Sequence, residues 1–233
     1  MFRLATVFAC TLLATSLPAC TPQNDSLHKS PEQASSSAAQ QAHEEQQAYQ
    51  DQYKAARALS DRCAYYDAKC LAPANKLNDA ANAKLIAAIT AGDPTAADYM
   101  ATEKVPDAAW RATSKTIINR ADSLLGTSDT HATIWLTLAG YLTTLGEFVP
   151  RNYDRATLYY GAAWLAGDAS AAASAANVYN AEHDLVNAYL WALRCTSGCT
   201  GLRVETSALE SSLDTPTIRL VQAKAADRST MGL

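Results

Sequence analysis

Gly146-Glu147-Phe148-Val149-Pro150-Arg151-Asn152-Tyr153-Asp154-Arg155-Ala156-Thr157-Leu158-Tyr159-Tyr160-Gly161-Ala162-Ala163-Trp164-Leu165-Ala166-Gly167-Asp168-Ala169-Ser170-Ala171 is the stretch on which the fold turns. Its spacing predicts a helix over 153–166. Gly167 can take the left-handed conformation that closes a helix, and Asp168 beside it can cap the next one. The same device stands 75 residues earlier, at Gly92-Asp93-Pro94-Thr95-Ala96. With Gly126-Thr127-Ser128-Asp129 and the Gly198–Gly201 run, the breakers recur at about 34, 41 and 31–34 residues. Periods of this size signify stacked helix pairs, each unable to bury its apolar face without a neighbour.

Helices are expected at 44–62, 75–91, 95–103, 107–125, 130–145, 153–166, 169–180, 184–195, 203–213 and 216–227. Trp135, Leu138, Tyr141, Leu142 and Leu145 keep the helical period. Pro73, Pro94, Pro106, Pro150 and Pro216 fall between these segments or at their starts. Alanine makes up about a fifth of the 233 residues, beside 9 Gly and 8 Pro. That composition excludes a β protein, because alanine has the highest helix propensity and lets helices approach closely. The formal charge of −4 and pI of about 5.5 supply no electrostatic footprint for nucleic acid.

Residues 146–171 resemble the Sel-one-like repeat, a relative of the tetratricopeptide repeat. A shortened second copy reads Tyr179-Asn180-Ala181-Glu182-His183-Asp184-Leu185-Val186-Asn187-Ala188-Tyr189-Leu190-Trp191. The segment from Leu209 to Ala225 resembles the closing helix pair of such proteins. The likeness is specific over roughly 130–228 and weak over 50–125. It implies an all-α solenoid of stacked antiparallel helix pairs wound into a right-handed superhelix. Degenerate repeats would occupy 48–129, Sel-one-like repeats 130–200, and capping helices 201–233. In the motif, Ala156, Ala162, Ala163, Ala171 and Ala188 are the small residues where helices cross. Tyr159 and Trp191 are the large residues filling the gap between paired helices. Two positions depart from the pattern: Phe148 replaces a usual glycine, and Trp164 stands where the family is polar and outward. As exposed aromatics they would be anchors for a protein partner, with Arg151, Arg155 and Tyr160 as neighbours; as packed ones they would simply fill space.

The chain opens with one basic residue, Arg3, then a short apolar run over Leu4–Ala14, then Leu17-Pro18-Ala19-Cys20. About eleven apolar residues cannot span a bilayer, and the layout is that of a secretory signal over 1–19. Residues 17–20 resemble the bacterial lipobox, which implies that Cys20 is acylated. In lipoproteins an Asp after that cysteine favours retention at the inner membrane. Here Thr21 implies the periplasmic face of the outer membrane, held by lipid alone. Residues 20–47 hold one large aliphatic residue, Leu27, and read as the lipidated end of a flexible tether. Beyond Cys20 four cysteines remain, Cys63, Cys70, Cys195 and Cys199, an even number in a chain bound for an oxidising compartment. Three pairings are open. Local pairs are expected over crosswise ones, but a continuous helix would hold Cys63 and Cys70 roughly 10 Å apart, so the helix must break between them.

No residue pattern points to catalysis. His28 and His43 lie in or beside the tether, His131 falls in a predicted first helical turn, and His183 precedes a capping Asp184. There is no H-E-x-x-H, no G-x-S-x-G and no phosphate loop. Neither C-x₂-C nor a histidine pair argues for zinc, so no metal or cofactor is expected. The expectation is a non-catalytic envelope scaffold that grips another protein. Relatives implied by the resemblance include immunity proteins that neutralise secreted toxic enzymes such as lipases. Alternatives are an envelope-maintenance factor bound to peptidoglycan or a wall enzyme, and a β-lactam-binding hydrolase.

Overall fold

The computed structural model describes residues 48–63, 67–127, 129–196 and 198–233, and among these there are ten helices and no strand. They are α1 (48–60), α2 (Ala68–Ala91), α3 (Pro94–Thr102), α4 (Asp107–Leu124), α5 (Ala132–Leu145), α6 (Tyr153–Leu165), α7 (Ser170–Ala181), α8 (Leu185–Arg194), α9 (Thr206–Ser211) and α10 (Thr215–Ala225). The expected leader, lipidated Cys20 and tether, with His28 and His43, lie outside the described residues.

Three of the turns share one hydrogen-bond pattern. Gly92, Gly167 and His183 take positive φ angles of 85°, 111° and 62°. Each donates its N–H to the carbonyl three residues back: Ile89, Trp164 and Asn180, at 3.0, 3.0 and 3.1 Å. The aspartate next in sequence donates to the carbonyl five residues back: Ala88, Ala163 and Tyr179, at 3.0, 3.0 and 2.9 Å. This pairing satisfies the orphan carbonyls of the finished helix. The carboxylates of Asp93, Asp168 and Asp184 then accept from the backbone N–H of Thr95, Ser170 and Asn187, which starts the next helix. The third copy has histidine where the others have glycine.

Two expectations about boundaries need correction. Pro73 sits inside α2, in its second turn. Asp67 caps the helix by accepting from the N–H of Lys69 and Cys70, both at 3.1 Å, so the helix starts seven residues before the expected 75. The carbonyl that Pro73 cannot serve belongs to Lys69, and both residues are exposed, so water can replace the lost bond. His131 flanks α5 without joining its first turn, and its N–H donates to Asp129 Oδ1 at 2.7 Å. The local disulfides form: Cys63–Cys70 with Cα atoms 5.6 Å apart, and Cys195–Cys199 at 5.1 Å. Helix α1 ends at 60 and α2 begins at 68, which is the break the first bridge needs.

Consecutive helices pack from α4 to α9, and α2 with α4, α3 with α5, and α8 with α10 make next-but-one contacts. One apolar core runs from Tyr49 to Val221. Ala156, Ala163, Ala171 and Ala188 are buried where helices meet, Ala162 is half-buried, and Tyr159 and Trp191 fill the spaces between. Gly140 is required by a close approach: a Cβ there would stand 2.7 Å from the Tyr160 ring. Helices α4 and α6 are tied by Asp122, which accepts from Tyr159 Oη at 2.6 Å and pairs with Arg155. Among the described residues no helix is long and apolar enough to cross a membrane.

Candidate partner-binding surfaces

The five residues expected at a partner surface divide among four places. Phe148 lies in the α5–α6 loop, stacked on Trp110 of α4 with ring centroids 6.1 Å apart. Tyr141 of α5 leans on the same Trp110 at 5.9 Å, and the Arg111 guanidinium lies 5.6 Å from the Phe148 centroid. Tyr141 is 45% exposed, unlike Trp135, Leu138 and Leu142 on the same helix, which are buried. Trp110 and Tyr141 border a cleft of about 450 Å³ whose lining also includes Met100, Lys104, Val105 and Tyr160. Met100 and Tyr160 are buried and form its base, while Lys104 is exposed beside it. Burial pushes the Tyr160 phenol up to about 12, against the Thr144 and Ser174 hydroxyls, so it stays protonated across the physiological range. Tyr160 therefore serves this surface from beneath.

Arg151 and Arg155 stand elsewhere. Arg151 Nη2 donates to the Leu145 carbonyl at 2.9 Å and lies over the Tyr153 ring, closing the loop after α5. Arg155 is engaged with Asp122 and lies over Tyr159. Burial disfavours ionised Asp122, but bonds from Tyr159 and Arg155 outweigh it and hold the carboxyl below its usual range.

Trp164 belongs to a second aromatic–arginine cluster. It meets Trp191 edge-on at 5.4 Å, with Arg194 at 4.8 Å and Arg228 at 4.6 Å from its ring centroid. Arg194 also lies 4.7 Å from the Trp191 centroid and is 6% exposed. Its guanidinium donates to the carbonyls of Ala225, Asp227 and Thr230, so it caps the negative end of α10. No carboxylate among the described residues lies within ion-pair distance of it.

Sequence reasoning missed Trp110, Arg111 and Tyr141. Trp110 and Arg111 lie where the repeat likeness is weak. Tyr141 fits the helical period well enough to pass for core. Among the described residues no group of three or more His, Cys, Asp or Glu could hold a metal ion. No protein-family model, curated protein or solved structure matches the chain.

Proposed function

We propose that this chain is a non-catalytic, lipid-tethered scaffold of the bacterial envelope, built from Sel-one-like repeats stacked as a right-handed solenoid. It grips another protein through the Trp110–Tyr141–Phe148 surface. The observation that carries this reading is an aromatic trio beside a cleft, with exposed Tyr141 on buried Trp110 and half-buried Phe148 under Arg111, whose side chain is 67% exposed. Aromatics and arginine dominate binding hot spots, because rigid rings and a planar cation bury large area at low entropic cost. The consecutive and next-but-one helix contacts, and the recurring Gly-Asp turn, support the stacked-pair part of the reading. The narrower role implied by the repeat likeness is neutralisation of a secreted toxic enzyme such as a lipase.

The test is crosslinking of the full chain in intact envelopes, with identification of the bound protein. The expected outcome is one protein captured by the unmodified chain and lost with the Arg111→Glu, Tyr141→Ser double variant at unchanged circular dichroism. Capture that survives this variant overturns the surface. A Cys20→Ala chain should leave the membrane fraction for the soluble periplasm. Binding to purified peptidoglycan without any protein would favour wall attachment instead, and turnover of a reporter β-lactam would end the non-catalytic reading.

A further inference from the structure

Beyond α10 the chain turns at Asp227, whose carboxylate accepts from the Ser229 N–H and from the hydroxyls of Ser229 and Thr230 at 2.7–2.9 Å. From Thr230 to Leu233 it carries no regular secondary structure and lies against α6 and α8. Three contacts seat it there. Asn187, 6% exposed, accepts from the Leu233 N–H at 2.7 Å and donates from Nδ2 to the Leu233 carbonyl oxygen at 3.1 Å. Arg194 donates to the Thr230 carbonyl. The Met231 methyl rests over Gly161: a Cβ built there would stand 2.5 Å from Met231 Cε and 3.6 Å from the Trp191 ring.

Two of the three contacts read only main chain, which every extended peptide carries. Side-chain identity is read at Met231 and, at the start of the segment, at Arg228, which lies over the Trp164 ring and donates to the Trp164 carbonyl at 3.4 Å. Main-chain bonds for grip and a pocket for one side chain are how grooves recognise extended peptides. Arg194 Nη1 and Trp191 Nε1 are buried beside it without a hydrogen-bond partner among the described residues.

We infer that residues 228–233 are a built-in occupant of a peptide groove between α6 and α8. The groove's ligand in trans is an extended peptide that places a methionine, or another unbranched apolar side chain, on the Gly161–Trp191 seat. This groove is separate from the Trp110–Tyr141–Phe148 cleft, so either surface can fail without the other. A segment tethered a few residues away competes at high effective concentration, and an outside peptide meets only the fraction of molecules whose tail has lifted.

The test uses the full chain and a fluorescent hexapeptide with the sequence of residues 228–233, Arg-Ser-Thr-Met-Gly-Leu. Met231→Asp should unseat the tail and leave α6 and α8 intact. Fluorescence anisotropy should then show the hexapeptide binding this variant at least about tenfold more tightly than the unmodified chain. Adding Asn187→Ala to the variant, or replacing methionine by aspartate in the peptide, should abolish binding. Failure of the Met231→Asp chain to bind at unchanged helicity, or equal affinity for both chains, overturns the inference. A second measurement avoids substitution altogether. Saturating hexapeptide should speed amide exchange over residues 230–233 of the unmodified chain by about tenfold, and unchanged exchange counts against the groove.

Discussion

The molecule carries two clusters of the same chemistry in different states of enclosure. Around Trp110, the arginine lies on the outside: Arg111 shares a loose, exposed ion pair with Asp107 at 3.7 Å and covers Phe148. Around Trp164 and Trp191, Arg194 is buried, and its Nε and Nη2 donate to backbone carbonyls. The first cluster exposes Tyr141 over a buried Trp110 and a half-buried Phe148; in the second, residues 228–233 lie beside a half-buried Trp164 and a buried Trp191. Tryptophan and arginine in a sequence therefore do not by themselves declare a binding surface. Residues much later in the chain decide whether such side chains face a partner or the protein's own backbone.

The largest expected effect breaks the enclosed cluster. Arg194→Ala removes the donor to several backbone carbonyls and should cost about 3 kcal/mol in urea unfolding, with faster amide exchange over residues 230–233. Arg111→Ala, in the open cluster, should change stability by no more than about 0.5 kcal/mol. Equal costs would erase the distinction between the two. A pair of glycines sharpens it. Gly140→Ala drives a methyl into the buried Tyr160 ring and should cost about 2 kcal/mol. Gly161→Ala meets only the far end of Met231, which can swing away, so it should cost far less while loosening residues 230–233.

A smaller effect is expected at the third copy of the turn. His183 holds a left-handed conformation that an L side chain adopts at a cost. His183→Gly should therefore raise stability by about 1 kcal/mol, read as a higher denaturation midpoint. The smallest concerns the clasp between α4 and α6. The folded Asp122 carboxyl sits below its ordinary value, so its contribution is present above the unfolded pKa and is lost as pH falls through the folded one. Stability should decline below about pH 4, the usual carboxylate range, and Asp122→Asn should flatten that part of the profile. An unchanged slope would show that the clasp adds nothing.

Helix positions were legible because glycine and aspartate mark them by mechanism, at Gly92-Asp93 and Gly167-Asp168. The same mechanism hid its third instance, since His183 takes a conformation its residue type disfavours and only the Asp184 cap showed from sequence. Pro73 misled because the rule against interior proline weakens where the orphaned carbonyl faces water. Of the candidate surface, Phe148 was legible as a departure from the repeat pattern. Trp164 was equally conspicuous and is likewise half-buried, with Arg194 and Arg228, 30 and 64 residues further along, over its ring. No local pattern reports such distant neighbours. The run from Thr230 to Leu233 is too short and aperiodic to announce that it lies in a groove.

Helix α7 has a consequence of its own. Ala171, Ala172, Ala173, Ala175 and Ala176 are all buried, on several sides of one cylinder. Helices α6 and α8 close on that helix with mostly methyl groups between, so it behaves as a hub with little clearance. Drift in this protein should accordingly accumulate on the outer helices and loops, while the hub accepts almost nothing larger than it already has.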